Sequence, residues 1–162
     1  MVWESHDAIR RRLDGERGRI EKRDGAAVAL AYPSPYHAGM SSLGFQQVYK
    51  LIQASDGFRC ARTFLPDDAA QREVTPLTYE DLRPLSHYPI IAFSVAYELE
   101  LAGLVSMLER SDIPSLREER AEEHPFVLAG GPLTFSNPLP LAAFADAIVM
   151  GEAEELVVPV LE

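Results

Sequence analysis

The stretch Ala26-Ala27-Val28-Ala29-Leu30-Ala31-Tyr32 decides the fold class, because seven apolar residues follow one another without polar alternation. An uninterrupted apolar run of this length is typical of a strand that is buried on both faces, as in a parallel sheet. Pro33 and Pro35 are expected to end the strand, since proline donates no hydrogen bond to a ladder. The segment therefore predicts the first strand of an α/β protein.

Outward from this strand, apolar runs alternate with helical patterns. Further strands are predicted at 58–65, 89–95, 125–129 and 146–150. A loop is predicted at 34–40, and a helix from Ser41 or Ser42 to Ala54. A short capped helix is predicted after Thr78, and a longer helix from about Glu98 to Arg110. A helical turn at 139–144 and a last helix that begins at Glu152 complete the pattern. Strand–helix alternation with right-handed crossovers predicts a Rossmann-like or flavodoxin-like α/β three-layer sandwich of about five parallel strands in the order 2-1-3-4-5.

Residues 1–24 are more polar than the rest and predict a helical N-terminal extension, with a loop near Gly15 and Gly18. Residues 25–162 are predicted to form one α/β domain. The basic residues at 10–12 and 17–23 are interpreted as a solvated helix face, or else as a contact with RNA or with a neighbouring domain. The sequence stops inside an apparent helix, so the chain is expected to be a fragment of a longer polypeptide.

Composition limits the classes of function. The chain has 162 residues and a net charge of −10, which argues against a DNA-binding groove because phosphate contacts need clustered Lys and Arg. Cys60 is the single cysteine and the four histidines are scattered, so no protein metal site is expected. No signal peptide and no apolar run of about 20 residues is present, which predicts a cytoplasmic protein without a membrane partner.

Several known site types lack their motifs. No strand is followed by G-x-G-x-x-G, and the chain contains neither G-x-x-x-x-G-K-[ST] nor G-x-S-x-G. Nucleotide binding of these types and serine hydrolase chemistry are therefore not expected, and no catalytic residue is assigned.

The candidate ligand-binding residues follow the predicted strands, because open parallel sheets bind ligands at the carboxyl ends of their strands. Gly130 and Gly131 either admit a bulky ligand or form a tight turn. His37 either contacts a ligand or is an exposed loop histidine, and Ser41, Ser42 and Glu152 either hold ligand groups or only cap helices. The candidate cofactor-binding residues are Tyr32, Pro33, His37, Ser41, Ser42, Gly44, Ser94, Val95, Gly130, Gly131, Pro132, Gly151 and Glu152.

Seven segments of the chain resemble a known domain family. They are ALAYPSPY at 29–36, GMSSLGFQ at 39–46, FLPD at 64–67, IAFSV at 91–95, GGP at 130–132, NP at 137–138 and DAIVMGEAEE at 146–155. Together they resemble the N-terminal cobalamin-binding-like domain that precedes the catalytic domain of many radical S-adenosylmethionine (SAM) enzymes. The similarity is greatest to a group of uncharacterised iron–sulfur oxidoreductases of this class.

The resemblance implies a Rossmann-like sheet whose carboxyl edge faces cobalamin or the C-terminal radical SAM barrel of the same polypeptide. It places the [4Fe–4S] cluster, S-adenosylmethionine and the C-x-x-x-C-x-x-C motif in the full-length protein, so this chain alone is not expected to be catalytic. An RNA substrate of the parent enzyme has no support in these residues.

One motif departs from the cobalamin-binding pattern. Domains that supply the lower cobalt ligand carry D-x-H-x-x-G, whereas residues 35–40 have Pro35 ahead of His37 and place Gly39 one position early. The resemblance then implies that cobalamin is held by loop backbone and shape. Two alternatives remain: a degenerate domain that packs against the barrel or a partner protein and binds no cofactor, and a flavin-binding domain.

Overall fold

The computed structural model describes residues 6–68 and 75–162. Residues 1–5, which begin the predicted extension, and residues 69–74, which fall in a polar stretch without a predicted element, lie outside the described residues. All structural statements below refer to the described ranges.

Five parallel strands form a single sheet in the order β2-β1-β3-β4-β5. They are β1 (Ala26–Pro35), β2 (Phe58–Leu65), β3 (Ile90–Ser94), β4 (Phe126–Gly130) and β5 (Ala147–Ile148). The arrangement confirms the predicted fold class, the parallel direction and the strand order. β1 lies inside the sheet and pairs with β2 on one side and β3 on the other.

Helices cover both faces of the sheet. They are α1 (His6–Gly15), α2 (Tyr36–Ser41), α3 (Leu43–Ala54), α4 (Leu101–Glu109), α5 (Leu133–Ser136) and α6 (Ala153–Leu161). Short 3-10 turns occupy Leu85–His87, Glu98–Glu100, Arg117–Glu119 and Leu139–Ala143. None of these helices has the length and apolar character needed to cross a membrane.

The sheet divides the hydrophobic core into two halves. Ala29 and Ala31 of β1 belong to the half that contains Leu104 of α4, whereas Leu30 belongs to the half that contains Phe45 of α3. Successive strand residues point to opposite faces, so an apolar run buries both. This explains why 26–32 shows no polar alternation.

The predicted end of β1 and the loop after it were wrong. β1 continues through both prolines to Pro35, and α2 replaces the predicted loop at 34–40. The register shifts between Tyr32 and Pro35, which is the kind of irregularity that tolerates prolines in a sheet. Pro35 then occupies the residue before α2 with φ −60, an angle that its ring favours.

Two other predicted elements differ from the structure. The capped helix after Thr78 is only a turn, because Leu82 has φ +55 and cannot continue a right-handed helix. The Thr78 hydroxyl bonds the Tyr88 hydroxyl at 2.8 Å and accepts from the backbone N–H of Arg83 at 3.3 Å, so it closes a turn and does not cap a helix. The fifth strand, predicted at 146–150, is only Ala147–Ile148, and the carboxylate of Asp146 just before it accepts from the backbone N–H of Val127 at 2.7 Å.

A buried charge cluster holds the β2 side of the domain together. The Arg62 side chain is 1% exposed and donates to Glu16 Oε1 and Oε2 at 3.0 and 2.8 Å. Its Nε donates to Glu80 Oε1 at 2.7 Å, and its guanidinium lies 4.4 Å from the centre of the Tyr49 ring. Burial lowers the pKa of Arg62, but Glu80 and Glu16 raise it by more, so the pKa lies above its usual value and the group stays charged.

The cluster joins parts of the chain that are distant in sequence. Glu16 follows α1, Tyr36 of α2 donates to Glu16 Oε1 at 2.8 Å, and Glu80 belongs to the turn before β3. The desolvation of the Tyr36 phenol, followed by its bond to Glu16, raises the pKa of Tyr36 to about 12. The two carboxylates and the guanidinium therefore neutralise one another's buried charge.

We expect Arg62→Met to lower the free energy of unfolding by about 3–5 kcal/mol, because it leaves two carboxylates poorly exposed to water and without their cation. Urea unfolding measures the change. Arg19→Met is the matched control, since its partner Glu21 is largely exposed and such surface pairs contribute about 1 kcal/mol or less. Equal effects of the two substitutions would contradict the structural role of the cluster.

Candidate functional site

The crevice of this sheet opens where the chain changes direction between β1 and β3. The connection after β1 leads to β2 at one side, and the connection after β3 leads to β4 at the other. Such a switch point leaves the carboxyl ends of the two central strands uncovered. Two cavities lie there, one on each face of the sheet.

The first, here called the α3–α6 cavity, has a volume of about 320 Å³ and lies between the sheet, α3 and α6. Eight of the predicted site residues line it: Ser42, Gly44, Ser94, Gly130, Gly131, Pro132, Gly151 and Glu152. They come from the carboxyl ends of β3 and β4, from the segment after β5 and from the start of α3. The topology therefore brings together residues that are up to 110 positions apart.

The other five predicted residues lie elsewhere. Tyr32 and Val95 are buried in the core, and Pro33 lines the second cavity. His37 and Ser41 are exposed on α2, where the Ser41 hydroxyl donates to the His37 carbonyl at 2.7 Å. The His37 ring lies edge-on to the Tyr36 ring at 5.5 Å and lines neither cavity. Their assignment to a cofactor stays a prediction.

Helix capping accounts for some of the polar side chains at the α3–α6 cavity. The Ser42 hydroxyl accepts from the backbone N–H of Phe45 at 3.3 Å and so caps α3. Glu152 precedes α6, but its side chain makes no capping bond and is exposed. Within the described ranges, no group of three or more His, Cys, Asp or Glu side chains is placed to hold a metal ion.

The walls of the cavity are mainly apolar and come from residues that the sequence did not single out. Leu30, Ala92 and Leu128 form the wall that the sheet contributes to the cavity, and they lie on the face of the sheet opposite to α4. Val157 and Leu161 of α6 lie among the residues opposite. Strand periodicity could have identified the three sheet residues, whereas the position of α6 over the cavity depends on its packing against α3.

The second cavity, here called the Glu100 cavity, has a volume of about 440 Å³ on the α4 side of β1. Glu100 is 3% exposed and accepts from the Ser34 hydroxyl at 2.9 Å and from the backbone N–H of Ala96 at 2.6 Å. Because Ser34 lies in β1 and Ala96 follows β3, one carboxylate joins the two strands that diverge at the switch point. Burial, followed by the Glu100 charge, raises the pKa of Tyr32 beside it, so this phenol stays neutral.

Several exposed apolar side chains lie in the segments that follow the strand ends at these openings. They follow the carboxyl ends of β1, β3, β4 and β5, and we call this group the apolar rim: Leu43, Tyr97, Leu99, Phe135 and Met150. Leu43 and Leu99 are 81% and 83% exposed. Clusters of exposed apolar residues commonly mark binding surfaces.

The backbone turn after β4 requires glycine at position 131. Its φ is +102, and a Cβ at this position would lie 2.7 Å from the carbonyl oxygen of Val95 and 2.8 Å from its nitrogen. Gly130 differs, because a Cβ there would meet its nearest atom, the carbonyl oxygen of Val149, at 3.4 Å. The tight-turn interpretation of this pair therefore explains Gly131.

We expect Gly131→Ala to reduce the free energy of unfolding by about 1–3 kcal/mol, because the substitution combines a strained φ with a backbone overlap. Gly130→Ala is the neighbouring control and should change it by well under half of that amount. Thermal or urea unfolding of the two variants gives the comparison. If Gly131→Ala left the free energy of unfolding unchanged, the backbone of the turn would be able to relax away from Val95.

Comparison with known proteins places the domain in a family. Searches of the curated proteins and of the solved structures gave no match to the chain. A family model described as "Radical SAM proteins, N-terminal" matches residues 44–162, which is well over half of the chain and includes β2 to β5 with α3 to α6. This chain belongs to the family of N-terminal domains of radical SAM proteins.

Proposed function

We propose that this domain is the cofactor-binding module of a radical SAM iron–sulfur enzyme and that its carboxyl edge binds cobalamin. The observation that carries the proposal is the open α3–α6 cavity at the switch point of the sheet. A degenerate domain would fill this crevice with its own side chains. Phe45 forms part of the wall, yet about 320 Å³ remains open, while Tyr36 and Tyr97 do not line this cavity.

The size of the cavity limits how cobalamin would bind. About 320 Å³ lies at the lower end of the range for ligand pockets, so it accommodates a flat bicyclic base and not a corrin ring. The corrin would lie outside, over the apolar rim. Leu30, Ala92 and Leu128 supply apolar contact for the base, and the Ser94 hydroxyl lies among the lining groups that can bond its polar atoms.

The chain supplies no cobalt ligand from this cavity. The described residues that line it include no His, Cys or Met, and His37 lies on α2 outside the lining. Together with the departure from D-x-H-x-x-G, this supports a mode of cobalamin binding that depends on shape and apolar contact. Bound cobalamin would supply cobalt-centred alkyl-transfer and redox chemistry, while this domain positions the cofactor and shields its base from water.

The iron–sulfur cluster and S-adenosylmethionine belong to the rest of the proposed enzyme. Cys60 is buried in β2, and burial raises the pKa of its thiol well above the usual value, so it does not offer a thiolate ligand. The role of this domain is therefore to present a cofactor at the edge that faces the catalytic domain.

We expect the purified chain to retain hydroxocobalamin through gel filtration, with a shifted visible spectrum. Gly44→Phe adds an aromatic side chain at the lining of the α3–α6 cavity, where a Cβ would meet no atom within 4 Å, and should weaken retention at least about tenfold. Gly15→Phe is the control, since its Cβ is equally unobstructed but lies outside the cavity. Loss of the cobalamin spectrum from the wild-type chain at high micromolar concentration would contradict cobalamin binding.

A second function is favoured by the apolar rim. If the domain binds no cofactor, these exposed residues at the carboxyl edge form a docking surface for the radical SAM barrel of the same polypeptide. The fully buried centre of an interface is more apolar than its periphery. The opposite edge of the sheet offers a natural comparison, because Phe126 is exposed there at the start of β4.

In a polypeptide that carries both domains, we expect Leu99→Ser combined with Phe135→Ser to separate the unfolding of the two domains and to lower the Tm of the less stable one. Phe126→Ser should leave the transition unchanged. Calorimetry distinguishes the outcomes. If the rim variant and the Phe126 variant unfold alike, the rim is not a domain interface.

A further inference from the structure

We propose that the Glu100 cavity binds a small organic ammonium compound whose charged group meets the Glu100 carboxylate and whose apolar body lies against Tyr97 and Leu99. The site lies on the α4 face of the sheet, whereas the proposed cobalamin cavity lies on the α3 face. The inference therefore goes beyond the proposed function, with which it shares only Tyr97 and Leu99 of the apolar rim.

The charge of Glu100 is the first argument. A carboxylate that is 3% exposed loses most of its hydration, and such groups are normally paired with a cation. Among the ion pairs of the described residues none involves Glu100, and no basic residue lines the cavity. Its two donors, Ser34 and Ala96, are neutral.

The unused hydrogen-bonding capacity of the carboxylate is the second argument. Two oxygens offer about four acceptor positions, and the described structure occupies one on each oxygen. A primary ammonium carries three donors, so it can bond the carboxylate directly. Ser106 contributes a further hydroxyl among the lining residues.

The mouth of the cavity selects for an apolar body. Tyr97 and Leu99 line the cavity and remain 49% and 83% exposed, so a ligand can cover them. An aromatic ring near a cation adds favourable electrostatic attraction. The volume of about 440 Å³ suits a compound of modest size, and the net charge of −10 attracts cations from solution.

Benzylamine and benzyl alcohol form the matched pair of probes, because they share one aromatic body and differ in the charged group. Titration followed by ¹⁵N NMR should show shifts at the backbone amides of Ala96 and Gly103 with benzylamine. Benzyl alcohol should bind at least about tenfold more weakly, since it cannot pair with the carboxylate.

Glu100→Gln keeps the shape of the side chain, removes its charge and should weaken benzylamine binding at least about tenfold. Glu98→Gln, an exposed acidic residue of the same 3-10 turn, should leave binding unchanged. The comparison of the two probes in the wild-type chain stands even if Glu100→Gln is unstable. Equal binding of the two probes, no shift at Ala96 and Gly103, or equal losses in the two variants would each overturn the proposal.

Discussion

The structure depends on the simultaneous pairing of β1 with two parallel neighbours. Ala29 lies opposite Ala61 of β2 and Ile91 of β3, and Leu30 lies opposite Arg62 and Ala92, so the backbone of β1 is held from both sides. Parallel pairing requires crossovers, and the crossovers place helices on both faces. Because the connections after β1 and β3 leave in opposite directions, the same pairing that stabilises the sheet also opens its carboxyl edge. Fold and candidate site therefore follow from one constraint.

At the β2 edge, where the sheet ends, polar contacts add to the apolar burial. There the chain uses a buried cation with two carboxylates, and Arg62 joins the segment after α1, the turn before β3 and the ring of Tyr49. Such a cluster contributes more to the specificity of the fold than to its stability, because desolvation offsets much of the Coulomb attraction between the charges. Its geometry sets where α1 and the turn at Glu80 lie against the sheet.

The two cavities at the switch point differ in chemistry although they are neighbours. The α3–α6 cavity has mainly apolar walls, with hydroxyls from Ser42 and Ser94. The Glu100 cavity holds a buried carboxylate that spans β1 and β3. Membership in a family of N-terminal radical SAM domains gives this edge a context, since a module that precedes a catalytic domain can present a bound compound to it. The apolar rim follows the strand ends that form both openings, and its exposed side chains suit either a large flat cofactor or a second domain above the sheet.

The sequence by itself determined the parallel α/β class and placed a helix cap at Ser41 or Ser42, because periodicity and capping are local and act over a few positions. The strand order was expected from the topology that right-handed crossovers favour, and the structure has Ser42 as the cap. It also located eight residues of the α3–α6 cavity, since strand ends share one edge in any such sheet. Only the tertiary structure decided that His37 stays outside the cavity, that α2 replaces a loop, and that Arg120, from a charged stretch, reaches Asp146 at 3.1 Å with its side chain 4% exposed. Glu100 is the clearest case: its burial depends on Ser34, 66 positions earlier, and no local pattern encodes a contact that forms when two strands diverge in space.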